Sequence, residues 1–287
     1  MKHAYLIMAH NNPRILRVLL EMIDDERNDI FLHVDSKSDL LERNTFATKH
    51  AQLHVLEKRK NVNWGGVTQI YAELLLFETA LKNGPYSYYH LISGVDLPIK
   101  SQDYIHRFFD EHQGKEFIRY QKGIDNNSKM IKERVGRYWV MEKYFHTGNV
   151  LMKAIREVMN TIIGVVPRKL DMDFRKGTNW VSLTEKAVKY MIENKEKIYS
   201  RYKHTRATDE VYKHTLIYEN PELYNNVYDL SGSWEACMRE IDWERGNPYV
   251  WTIKDKDVLK NSPCLFARKF SENDMEIVEW VRTKYIK

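Results

Sequence analysis

Carboxylates that close apolar runs are the first residues in this chain able to do chemistry. Asp35 follows Ile30 to Val34 in His33-Val34-Asp35-Ser36-Lys37, and Asp96 follows Tyr88 to Ile92 in Ser93-Gly94-Val95-Asp96. A carboxylate at the C-terminal end of a parallel strand can accept hydrogen bonds from a ribose hydroxyl or a base imide. It can equally cap its own turn, and spacing alone leaves both readings open. His10 closes the first apolar run and would share the same pocket wall. A further pair, Asp209-Glu210, follows Thr208 at the start of an apolar-periodic stretch. That spacing predicts a helix capped by Thr208 and running to about Ile217, with both acids in its first turn. There they could complement the helix dipole or serve as a general base toward a hydroxyl.

Cations embedded among apolar residues are the second feature. Met238-Arg239-Glu240-Ile241-Asp242-Trp243 and Cys264-Leu265-Phe266-Ala267-Arg268-Lys269-Phe270 both have this character. Fixed positive charge of this kind is what a departing diphosphate requires. Arg268 alternates with Lys269 along an extended segment, points to the opposite face and reads as a surface salt bridge. The Asp-x-Asp word Asp171-Met172-Asp173 lies beyond an irregular stretch and not at a strand end, so it reads as a solvated loop. Cys237 and Cys264 form no CxxC pair, which argues against both a zinc site and a disulfide framework. No metal and no cofactor is expected.

The elements that must position these groups are legible from periodicity. Tyr5 to Ala9, Ile30 to Val34 and Tyr88 to Ile92 read as buried strands, and Leu53 to Leu56 as a further strand. Asn12 as N-cap, Pro13 at the first helical position and Ile15, Leu16, Leu19, Leu20 and Ile23 predict a helix after the first strand. A second helix is expected over Thr68 to Leu81, a third near Asp103 to His112, then a strand at Glu116 to Tyr120. Residues 121 to about 175 lose this rhythm, apart from a helix over Val150 to Ile163. Ala187, Val188, Met191 and Ile192 mark a helix, and so do Ile277, Val278, Val281 and Tyr285. Strands alternating with helices predict a mostly parallel sheet flanked by helices.

With 287 residues and 43% hydrophobic content, the chain can bury a full core. Its net charge of +5 comes from Lys and Arg spread among Asp and Glu, without an arginine-rich run, so nucleic acid is not an expected partner. No apolar run approaches the roughly 20 residues of a membrane span, and the short N-terminal run reads as a strand rather than a signal peptide.

Val62-Asn63-Trp64-Gly65-Gly66-Val67, the His33-Val34-Asp35 word, Tyr88 to Ile99 and Leu265-Phe266-Ala267-Arg268-Lys269-Phe270 follow one another in a recognisable order. From about residue 3 to 275 the chain resembles the core-2/I-branching β-1,6-N-acetylglucosaminyltransferases and the related peptide O-xylosyltransferases of glycosyltransferase family 14, in a bacterial-type form. The resemblance implies an α/β nucleotide-diphospho-sugar transferase (GT-A-like) fold with a mostly parallel central sheet. It implies one domain over 1–287, with a nucleotide-binding part at 1–120 and an acceptor-binding and catalytic part at 121–287. Glu210 is then the catalytic base, and His10, Asp35, Asp96, Arg239 and Lys269 bind the donor, with Asp35 on the uridine and the two cations on the diphosphate. Glu116 and Trp180 would hold the acceptor side. The implied reaction is an inverting, metal-independent transfer from a UDP-sugar, N-acetylglucosamine first, to a glycan or lipid-linked oligosaccharide. Golgi members carry an anchor and stem before this domain; here a cytoplasmic enzyme with peripheral membrane contact at most is the expectation.

Overall fold

The first apolar runs become strands buried on both faces. In the computed structural model, which describes residues 1–286, β1 (His3–Ala9) and β2 (Asn28–Val34) are buried along almost their whole length. Between them α1 (Pro13–Met22) begins on Pro13, whose fixed φ suits the first helical position. Asn12 does not cap it in the expected way: its backbone is left-handed, φ 55°, and its side chain makes no capping hydrogen bond. The short α2 (Leu40–Arg43) leads to β3 (Gln52–Val55), and α3 (Thr68–Asn83) returns the chain to β4 (Tyr88–Ser93).

Beyond β4 come β5 (Asp96–Pro98) and α4 (Gln102–Glu111), whose N-cap Ser101 accepts from the Tyr104 N–H. The stretch of weak rhythm holds α5 (Lys129–Arg134) and α6 (Val150–Ile163), the latter at the expected residues. Next are β6 (Ser182–Thr184), α7 (Glu185–Glu193), α8 (Lys195–Tyr202), α9 (Tyr212–Tyr218) and α10 (Pro221–Asn225). β7 (Arg239–Ile241), α11 (Lys256–Asn261), β8 (Phe266–Arg268) and α12 (Met275–Tyr285) complete the described strands and α-helices.

The main sheet has the order β3-β2-β1-β4-β6, parallel throughout except that β6 runs antiparallel to β4. A second sheet, β5-β8-β7, sets Asp96 opposite Arg268 and Arg239 opposite Phe266. Each sheet thus takes strands from both halves of the sequence. Alternation along β1 feeds two cores. Tyr5, Ile7 and Ala9 pack with α1, α12 and β8 on one face, and Ala4 and Leu6 with α3, α7 and α9 on the other.

Two further expectations are corrected here. Residues 116–120 form no continuous strand: single bridges join Glu116 to Val227, Phe117 to Ser182 and Tyr120 to Gly177, three partners from different places, so no ladder is sustained. Thr208 caps no helix. Its hydroxyl lies 2.6 Å from that of Thr205, and α9 begins only at Tyr212, leaving Asp209 and Glu210 in the turn before it.

Candidate active site

The C-terminal ends of β1, β2 and β4 lie side by side, the position where parallel α/β sheets receive nucleotides. The Asp35 N–H donates to the Ala9 carbonyl at 2.9 Å, and Gly94 N–H to Met8 at 2.9 Å. Asp35 turns one carboxylate oxygen onto its own loop, accepting from the Lys37 N–H at 2.9 Å and the Val62 N–H at 3.4 Å. The Lys37 ammonium donates to the Val62 carbonyl at 2.6 Å and stands 3.7 Å from the other Asp35 oxygen. His10 is exposed and within electrostatic reach of Asp35, Lys37 and Arg268.

Asp96 is buried in β5. One of its oxygens accepts from Ser93 N–H at 2.8 Å and the other from Arg268 Nη1 at 2.7 Å. The Arg268 guanidinium also covers the Trp180 ring, 4.5 Å from its centroid. Arg268 is therefore a largely buried partner of Asp96 and Trp180 and no surface salt bridge. Beside it Lys269 is half-buried, and its ammonium has no hydrogen-bond or ion-pair partner among the described residues.

Arg239 is placed differently from its expected diphosphate contact. It is 1% exposed and donates to Ser182 Oγ at 3.0 Å and to the carbonyls of Cys237 and Val181 at 2.6 and 2.8 Å. Its guanidinium lies 4.7 Å from the Phe266 ring centroid. Its two terminal nitrogens tie the two sheets together, and its buried Nε has no hydrogen-bond partner among the described residues. Glu116 is likewise corrected. It is 1% exposed, with both oxygens on Thr184, through the backbone N–H at 2.9 Å and the hydroxyl at 2.5 Å, and burial pushes it up to about 7. At that depth the carboxylate presents no surface to an acceptor sugar.

Glu210 stands on the turn before α9 with its side chain 28% exposed. Arg134 Nη1 donates to it at 2.7 Å, and Lys176 Nζ lies 3.2 Å away. Burial alone would raise its pKa, but the Lys176 and Arg134 charges outweigh it and keep the carboxylate below the usual glutamate range. The turn is held from several sides. Arg134 also donates to the Ala207 carbonyl at 2.8 Å, and Gly177 N–H to the Glu210 carbonyl at 3.0 Å. A side chain at Gly177 would put its Cβ 1.6 Å from the Arg119 carbonyl oxygen, so the close approach needs glycine.

Under the turn lies a buried polar network. Lys213 Nζ donates to Glu73 at 2.5 Å, to Asn179 Oδ1 at 2.6 Å and to the Asp209 carbonyl at 3.1 Å. Tyr212 and Asn179 each donate to Glu73 at 2.8 Å, and Gln69 to the Asp209 carboxylate at 2.9 Å. Burial, then the charges of Glu210 and Glu73, push Asp209 up to about 7.

The family model for the Core-2/I-Branching enzyme matches residues 3–276. The chain belongs to that family. Among its relatives, xylosyltransferase 2 of Canis lupus familiaris is 23% identical over 96% of this chain and 33% of its own length, and that of Homo sapiens 24% over the same shares. The chain thus spans about a third of the length of the curated relatives it matches. Among solved structures, mouse xyloside xylosyltransferase 1 in its apo form covers 92% of this chain and 97% of its own at 13% identity, TM-score 0.37. S. aureus TarS 1-349 covers 79% and 56% at 15% identity, TM-score 0.35, and its complex with UDP-GlcNAc 49% and 41%, TM-score 0.25.

As a member of the Core-2/I-Branching family the chain is a glycosyltransferase-family domain, built on an α/β scaffold with a mostly parallel sheet between helices. Asp171, in the word read as a solvated loop, is ion-paired with Arg201. Among the described residues, no three His, Cys, Asp or Glu side chains converge so as to hold a metal ion. Cys237 and Cys264 are both buried and free, and no described helix is long and apolar enough to cross a membrane. The sequence reading of this family member missed Arg134, Lys176 and the Glu73–Lys213 pair. Glu73 did leave a signal, since it stands three residues after Ile70 and four before Phe77 on the apolar face of α3.

Proposed function

We propose that this chain transfers a sugar, N-acetylglucosamine in the first instance, from a UDP-sugar to a hydroxyl of a glycan or lipid-linked oligosaccharide. The transfer is inverting, needs no divalent metal and takes place on a GT-A-like scaffold. The observation that carries this reading is Glu210, a part-exposed carboxylate kept ionised between Arg134 and Lys176. A single displacement needs one base, on the face of the sugar opposite the leaving group. As the acceptor oxygen bonds to the anomeric carbon, its proton passes to Glu210. The bonding pair of the broken C–O bond departs on UDP, and a β-linkage results.

Other residues take the roles their placement allows. Asp35 and His10 receive the uridine at the strand ends. Asp96 holds Arg268, and the Trp180 indole under that guanidinium lines the sugar side. Lys269, free of internal partners, meets the diphosphate, and Arg239 adds buried positive charge from behind β8 without contact.

The test is a thermal shift with UDP in excess EDTA, with GDP and plain diphosphate as controls. It is followed by assays of UDP release from UDP-N-acetylglucosamine, UDP-xylose, UDP-glucose and UDP-galactose over a panel of glycan acceptors. A UDP-selective shift that survives EDTA, with acceptor-dependent release, is the expected result. A shift that needs Mn²⁺ would overturn the metal-free donor site.

A further inference from the structure

Helix α6 is packed with its polarity reversed. The residues it buries are Arg156 and Asn160. Arg156 Nη1 donates to the carbonyls of Tyr144 and Phe145 at 2.7 and 2.6 Å. Asn160 Oδ1 accepts from the Val140 N–H at 2.8 Å, and Arg137 Nη2 donates to the Asn160 carbonyl at 2.6 Å. Buried polar groups satisfied so specifically fix the rotation of the helix about its axis.

That rotation turns the apolar stripe outward. Leu151, Ile155, Val158 and Ile162 recur at the spacing that lines one helix face, and all four are exposed, Leu151 by 68% and Ile162 by 61%. Val165 and Val166 extend the exposed apolar surface past the helix end. In a helix packed on a core by its apolar side, these would be the buried positions.

The surroundings are basic. Residues 121–175 contain eleven Lys and Arg against six Asp and Glu, an excess equal to the net +5 of the whole chain. Lys143 before the helix and Lys169 after it are both exposed. Trp64, 66% exposed, sets its ring edge-on against His146, with centroids 4.3 Å apart, four residues before α6 begins. Indoles with one apolar and one wet side favour the membrane–water interface.

We propose that this face docks on an anionic lipid bilayer. The helix, about 21 Å long at 1.5 Å per residue, lies in the plane of the leaflet with its stripe at the headgroup–acyl boundary and the lysines on lipid phosphates. A second copy of the chain suits the surface less well, because it would bring one basic rim against another. The Trp64 loop joins this surface to the Glu210 turn, since the Gly65 carbonyl accepts from the Ala207 N–H at 2.7 Å. Docking therefore brings the bilayer beside that turn; the use of a lipid-borne acceptor rests on the transfer reading, while docking does not.

The experiment is co-sedimentation with phosphatidylcholine vesicles with and without phosphatidylglycerol, on the unaltered chain and on the Leu151→Ser/Ile162→Ser variant, with no sugar donor present. Both positions are exposed, so the variant should keep its fold, which circular dichroism and its melting transition check. Binding to the anionic vesicles that weakens with salt and falls about tenfold or more in the variant is the expected result. No binding to anionic vesicles at low salt, or equal binding by the variant, would overturn the proposal. So would a concentration-dependent dimer in sedimentation velocity that the same substitutions abolish without any vesicle binding.

Discussion

Arg268 faces Asp96 directly across the β5–β8 ladder and donates to it at 2.7 Å. Because Asp96 is buried to 3% side-chain exposure, truncating its partner leaves an uncompensated charge. Arg268→Ala should cost about 3 kcal/mol, the scale of a broken buried ion pair. Adding Asp96→Asn should recover part of that loss, and urea unfolding of the four forms of the double-mutant cycle checks it. A purely additive cycle would mean that the contact carries no coupling.

Glu210 and Arg134 give a kinetic counterpart. Glu210→Gln should lower turnover by about 10²–10⁴-fold, the usual worth of a general base, with the UDP-induced thermal shift unchanged. Removing a neighbouring cation raises a carboxylate's pKa. Arg134→Ala should therefore move the acid limb of the pH–rate profile upward, because Glu210 then protonates at higher pH. An unmoved limb would show that another group controls ionisation of the base.

β1, β2 and β4 are legible because each is a short apolar run between turn residues, and α6 because its stripe has helical spacing whichever way it faces, whereas β5 to β8 are three residues each and carry no such run. Burial was harder to read. A sequence shows that Arg239 sits among apolar residues, but not whether its guanidinium reaches solvent or ends on the carbonyls of Cys237 and Val181, beside β7 and β6. Glu116 failed for the same reason, its carboxylate being spent on Thr184. Arg134, Lys176 and Glu210 converge from distant parts of the chain, and no local pattern announces such a meeting. Strand alternation sets Arg268 on the face opposite Lys269, where it reads as a surface salt bridge, yet the ladder pairs it with the buried Asp96.

Asp209 predicts how stability varies with pH. Its carboxyl is pushed up to about 7 in the folded chain, against about 3.9 in an unfolded one. Between those values the folded state binds more protons, so this group's contribution to stability falls as pH rises from about 4 to 7. Asp209→Asn still accepts from Gln69 and removes the titration. The variant should gain stability relative to the unaltered chain as pH rises from about 4 to 7, the span over which the linkage acts, measured by urea unfolding at each pH. A constant difference would mean that Asp209 is ionised throughout.

Gly177 separates the turn's support from its chemistry. A Cβ there would lie 1.6 Å from the Arg119 carbonyl oxygen and 2.4 Å from His214 Nε2, and neither neighbour is free to yield. The Arg119 carbonyl accepts from His214 at 3.1 Å, and His214 is fully buried. Gly177→Ala should therefore destabilise the chain by about 3 kcal/mol, the upper part of the usual overpacking range. It should also loosen the Gly177 N–H bond to the Glu210 carbonyl, so that turnover falls even where the protein remains folded. Unfolding curves and initial rates on the same preparation distinguish the two effects. A variant as stable and as active as the unaltered chain would show that the turn tolerates a displacement its packing here does not allow.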